Sequence, residues 1–210
     1  MKKLAVLFLL VGKIAFADSP LTSIDFYKAY LNVPMVKKAK ASKGKMTPEI
    51  MTFLVDEENQ QAEKLAVINA LGWNHKYRNS KRFRNYIIKT KRYRSDFGGK
   101  YTAFLWNATA NELVFYAYLS ALENYGQPLD ALEYLEKAME KVPKDLNIKL
   151  VYELVRSQVY YETGDRLLAK KNINKVLMAY SEIESDTHFD MSALRYFYDF
   201  LNYLLHHDKK

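Results

Sequence analysis

Apolar positions along this chain recur at helical spacing, with polar residues and helix breakers marking where each run stops. The first segment is of another kind. Met1-Lys2-Lys3 is basic, Leu4 to Phe16 is apolar apart from Lys13, and Ala15-Phe16-Ala17 has the small-x-small form of a cleavage site. This reads as a signal peptide over residues 1–17, with the mature chain starting at Asp18. Lys13 leaves too short an apolar run to cross about 30 Å of hydrocarbon. Beyond it, Thr22 to Tyr30 predicts a short amphipathic helix ended by Asn32 and Pro34, and Lys37 to Lys45 a mobile, basic loop. Thr47-Pro48 is a helix start, threonine at the cap and proline at the first helical position, for a helix burying Ile50, Phe53 and Leu54. Asp56 is expected to cap the next, whose apolar positions Ala62, Leu65, Ala66, Ile68 and Leu71 run up to Gly72.

The pattern then turns basic. Between His75 and Lys100, ten lysines and arginines face one acid, Asp96, while Phe83, Tyr86, Ile87 and Thr90 keep a helical stripe. Phe97-Gly98-Gly99 reads as a loop, and Thr109-Ala110-Asn111-Glu112 as a capping box. The last helix, about Asp190 to Leu205, carries two stripes: Leu194, Phe197, Tyr198, Leu201 and Leu205 on one side, Tyr196, Phe200 and Tyr203 on the other. The run from Leu54-Val55-Asp56 to Ala70-Leu71-Gly72 resembles a HEAT-type helical repeat.

A longer internal repeat follows. Gly126 is succeeded by Ala131, Leu135, Ala138 and Pro143, and Gly164, at the same first three offsets, by Ala169, Ile173 and Val176. Small residues at the first and third of these positions let two helices approach, and the large one fills the gap to the next pair. From Glu112 to about Ser181 the chain therefore resembles the tetratricopeptide (TPR) family, with Ser157 and Tyr160 at its small and aromatic first-helix positions; Leu119 and Leu122 depart there in the first copy. The resemblance implies a right-handed α-solenoid of antiparallel helical hairpins whose first helices line a groove. The implied groove residues are Tyr116, Ser120, Glu123 and Asn124, then Leu154, Gln158, Tyr161 and Glu162, with Tyr196 and Phe200 on the last helix extending it. The family's lysine/asparagine clamp for a peptide carboxylate is missing, since Tyr116 and Ser120 hold its key positions. Packing among helices is the plainer role for the same tyrosines.

Composition agrees with helices. Hydrophobic residues make up 49% of the chain, and only 7 Gly and 5 Pro speak against a sheet-rich sandwich. No cysteine is present, so neither disulfides nor thiol catalysis arise, and the core must hold unaided. Loss of Lys2, Lys3 and Lys13 lowers the formal charge of +8 to +5. Much of that excess is the basic segment, where Arg82, Arg84, Arg92 and Arg94 are the candidates for gripping an anionic surface: acidic lipid, acidic polysaccharide or an acidic protein face. Interleaved Tyr77, Phe83, Tyr86 and Tyr93 also suit nucleic acid, which an exported protein seldom meets. A solvated helix face is the bland alternative.

Catalytic motifs are missing. His75, His188, His206 and His207 form no His-Glu-x-x-His pattern, and there is no phosphate loop, dinucleotide turn or nucleophile elbow. No metal or cofactor is called for. The expectation is an exported, periplasmic or secreted protein with a single α-helical domain over 18–210: N-terminal helices with the basic segment (18–100), then TPR-like hairpins and a C-terminal helix (101–210). It would act as a non-enzymatic scaffold for a protein or peptide. An envelope protein docked through its basic segment is the alternative, and a hydrolase whose carboxylates meet only on folding a further one.

Overall fold

A computed structural model describes residues 20–91, 99–124, 128–182 and 188–207, and every regular element among them is helical. The leader with its cleavage site, Arg92, Arg94 and Gly126 lie outside the described residues. In order, the helices are α1 (Pro20–Ser23), a 3-10 helix (Phe26–Tyr30), α2 (Pro34–Ala41), α3 (Pro48–Val55), α4 (Gln61–Leu71) and α5 (Asn79–Thr90). Then come α6 (Gly99–Asn107), α7 (Ala110–Glu123), α8 (Leu129–Lys141), α9 (Leu146–Thr163), α10 (Arg166–Tyr180) and α11 (Met191–His207). No helix among the described residues is long and apolar enough to cross a membrane.

Local signals account for most boundaries. Thr47 accepts a hydrogen bond from Ile50 N, with Pro48 at the first position of α3. The capping box at α7 is complete: Glu112 N donates to Thr109 Oγ1 at 3.2 Å, and Thr109 N to Glu112 Oε2 at 2.8 Å. Gly164, at φ 83°, ends α9 in the left-handed region that favours glycine.

Three expectations are corrected. The helix over Thr22 to Tyr30 is broken at Ile24-Asp25 into α1 and the 3-10 helix, because Asn69 of α4 holds the break: its Nδ2 donates to Ile24 O and its Oδ1 accepts from Tyr27 N. Most of the expected Lys37–Lys45 loop is the end of α2, which starts on Pro34 and buries Val36 and Ala39 while its lysines stay in solvent. Only its tail is a turn. There Gly44 (φ 85°) has room for no side chain, since a Cβ would stand 2.5 Å from Asn74 Nδ2. Asp56 closes α3, accepting from Glu58 N in a turn of its own, while Gln60 precedes α4.

The most extensive contacts are between α7 and α8 and between α9 and α10, and α8 packs on α9. Ala131, Leu135 and Ala138 on α8, with Ala169 and Ile173 on α10, are all buried, while Val176 is half-buried. Contacts also reach far beyond chain neighbours. The 3-10 helix packs on α4 and on α11, α1 on α9, and α4 on α7. Phe26 is stacked on Phe197 at 5.5 Å and meets Phe189 edge-on at 4.9 Å, so residues from both ends of the described chain share one core. Helix α4 lies inside: apart from half-buried Glu63, every one of its residues is buried.

Candidate functional site

Burial decides first which expected groove residues can meet a partner. Tyr116 and Ser120 are buried, and Gln158 is only 3% exposed. Tyr161 is half-buried beneath the Arg166 guanidinium, 4.5 Å from the ring centre. Phe200 is in the core, while Tyr196 lines a different hollow with Lys28, Ser192, Arg195 and Asp199. These side chains therefore do not share one open surface. The cause is the N-terminal half: α4 and α5 pack on α7, and α1 packs on α9, covering the faces that an open helix stack would leave free.

The basic segment divides likewise. On α5, Phe83 and Ile87 are buried, and Lys81, Arg82 and Lys89 point to solvent. Arg82 borders a hollow of about 430 Å³ with Pro48, Met51 and Tyr86. Arg84 turns inward, its guanidinium 5.5 Å from the Tyr116 ring centre and its Nη1 donating to Tyr116 Oη at 3.4 Å. Two residues read for separate roles thus form one internal contact.

An open cleft lies elsewhere, on the C-terminal helices. About 330 Å³ in volume, it runs between α8, α9 and α10. Met139, Leu146, Val176 and Ala179 give it apolar surface, and Lys149, Tyr152, Glu153, Arg156, Asn172 and Lys175 its polar walls. On α9 the lining residues follow i, i+3, i+4 and i+7 from Lys149, one stripe of the helix. That stripe of mixed charge and tyrosine is visible in the sequence, but it lies on another face of α9 than the one the TPR register singles out.

Inside this cleft Arg156 grips Glu153 with two bonds, Nη2 to Oε1 at 2.6 Å and Nε to Oε2 at 3.0 Å. Its guanidinium also lies 4.8 Å from the Tyr152 ring centre and 5.5 Å from that of Tyr160. Burial raises the Glu153 carboxyl above its ordinary range, against the pull of Arg156. Tyr152 Oη donates to Glu136 Oε1 at 3.3 Å, fixing the ring at the cleft edge. Lys149 and Lys175 make no ion pair within 4 Å among the described residues, although the Lys175 charge acts on Glu153 from farther off, so the cleft carries two lysines beside its apolar surface.

A second cleft, of about 290 Å³, is enclosed by α3, α4, α7 and the end of α5. Glu57 and Glu112 both line it, and the Lys91 ammonium stands between them, 3.9 Å and 2.9 Å away. No cluster of three or more metal-ligating side chains occurs among the described residues. Of the histidines, His75 is exposed and His188 packs 4.6 Å from the Tyr180 ring; the side chains of His206 and His207 lie outside the described set. No family model, curated protein or solved structure matches this chain.

Proposed function

We propose that this is an exported, non-enzymatic binding protein, and that it takes a segment of a partner protein into the cleft between α8, α9 and α10. The supporting observation is that cleft: apolar surface from Met139, Leu146, Val176 and Ala179 beside the side chains of Lys149 and Lys175. Such a site suits a segment that offers an apolar side chain flanked by acidic ones. Tyr152 supplies a rigid ring with a hydrogen-bonding tip, the kind of residue that concentrates binding energy. The helix pairs that build the cleft follow the TPR spacing of small and large residues. A TPR-like arrangement of antiparallel hairpins, covered on one side by the N-terminal helices, is the architecture this reading implies.

The exposed face of α5 supports a second reading. Lys81, Arg82 and Lys89 carry no ion pair among the described residues, and an acidic envelope surface would complement them. One experiment separates the two. Mature protein and variants are used to capture partners from an envelope extract, with circular dichroism as the check on folding. Tyr152→Ala is expected to weaken capture by about 30-fold, the equivalent of a 2 kcal/mol hot spot. Lys149→Glu/Lys175→Glu should abolish it, with unchanged helicity. Normal capture by both, with loss on Lys81→Ser/Arg82→Ser/Lys89→Ser, would place the contact on α5 instead.

A further inference from the structure

Two loops far apart in sequence are clasped together where α2 and α4 end and α5 begins. Asn79 Nδ2 donates to Gly44 O at 2.8 Å, and its Oδ1 accepts from Met46 N at 3.1 Å. Asn74 Nδ2 donates to Lys43 O at 3.3 Å. The joined loops leave Lys43, Lys45, Lys76 and Arg78 exposed. Residues 42–46 and 72–79 contain no acid, and none of these four cations has an ion pair among the described residues. Lys43 (φ 53°) and Arg78 (φ 50°) are also the non-glycine residues with positive φ among those described. The backbone accepts there a conformation that asparagine or glycine takes more easily, and what stands at both positions is a positive charge.

The same loops carry an exposed indole. Trp73 is 57% exposed, its ring 5.6 Å from that of His75. Tryptophan beside lysine and arginine is the composition found where a membrane meets water. The indole lies at headgroup level there, and the cations meet acidic lipid.

We propose that this pair of loops docks the protein on an anionic lipid bilayer, with Trp73 entering the headgroup layer and Lys43, Lys45, Lys76 and Arg78 facing acidic headgroups. Charge complementarity selects the partner, since four cations with no acid in either loop are matched by a surface of uniform negative charge. Nucleic acid is the other polyanion such cations suit, but its single strands stack on successive open rings. Here Tyr77 is half-buried, with the Lys76 ammonium 5.6 Å from its ring centre, and Trp73 is the only indole or phenol of the two loops that is mostly exposed. The loops belong neither to the α8/α9/α10 cleft nor to the exposed face of α5, so the proposal rests on neither.

The test uses the intact mature protein, whose two tryptophans are Trp73 and Trp106. Trp106→Phe leaves Trp73 as the reporter, and Trp73→Phe leaves Trp106. Vesicles are made of phosphatidylcholine, alone or with one-third phosphatidylglycerol. Trp73 emission is expected to move to shorter wavelength on the anionic vesicles only, while Trp106 emission stays where it is. Sedimentation with the vesicles reads the affinity. Lys43→Asn/Arg78→Asn relieves the backbone and should fold normally by circular dichroism. It is expected to weaken binding about 25-fold, since each cation near an anionic surface is worth about fivefold. No binding, equal binding to neutral vesicles, or binding that this pair of substitutions leaves intact overturns the proposal. Intact binding that is then lost on Lys81→Ser/Arg82→Ser/Lys89→Ser would move the contact to α5. Retention on a single-stranded oligonucleotide but not on vesicles overturns it in favour of nucleic acid.

Discussion

Asn69 shows how much a single buried amide can organise. It donates to Tyr118 Oη at 2.8 Å and to Ile24 O at 3.1 Å, and accepts from Tyr27 N at 3.0 Å, so α4, α7 and the N-terminal segment meet on one side chain. Burial drives the Tyr118 phenol pKa up, and the bond from Asn69 only partly offsets this. Asn69→Leu keeps the branched shape of the side chain but leaves a backbone N–H, a backbone carbonyl and a hydroxyl without their Asn69 partner. Each such group costs about 1–3 kcal/mol, so the urea midpoint should fall by the equivalent of at least about 2 kcal/mol. Asn147 plays the same part lower down: its Nδ2 donates to Gln61 Oε1, and its Oδ1 accepts from Tyr180 Oη and Phe189 N. Neither asparagine was legible as a structural hub. A polar residue within a helical pattern reads as solvent-facing until the helix is known to be covered on every side.

At the scale of the element, spacing carried most of the information. Periodicity located α3, α4, α5 and α11, and the capping box placed the start of α7 to the residue. The repeat offsets picked out small residues that are buried where α8 and α10 meet their neighbours. Ala131→Leu should therefore overpack the contact of α8 with α7 by about 1–3 kcal/mol, read as a drop in melting temperature at unchanged far-ultraviolet helicity. A variant as stable as the parent would mean that Ala131 has space the packing does not show. Elements failed to read where tertiary contacts override local preference. Helix α2 offers only Val36 and Ala39 as buried positions among lysines, too few for a periodic signal. The break at Ile24-Asp25 exists because of a hydrogen-bonding partner in α4, some forty residues on. The open stripe of α9 could be seen, but choosing it over the TPR face required knowing which helices cover which side.

Over the whole molecule, the contacts of the N-terminal segment set the behaviour. In a stack where each unit touches only its neighbours, stability is a sum of local terms and the ends loosen on their own. Here Phe26, fully buried, packs on Phe189 and Phe197, and Asp190 N donates to Tyr30 Oη at 2.9 Å. Burial pushes the Tyr30 phenol pKa up to about 12, so this tie is unaffected by pH through the physiological range. Phe26→Ala should cost about 3–5 kcal/mol. Hydrogen exchange should quicken in α4, α9 and α11 together, because all three pack on residues 20–30. Faster exchange confined to α1 and the 3-10 helix would show that the two ends are energetically separate.

The same closure bears on how the chain is made. A polypeptide emerges from the ribosome, or from any channel that threads it, N-terminus first. Leu21, Ile24, Phe26 and Tyr27 therefore appear well before α9 and α11, which supply part of their shelter. During that interval these side chains have no finished core to enter. The core around these side chains is completed only after α11 has cleared the exit.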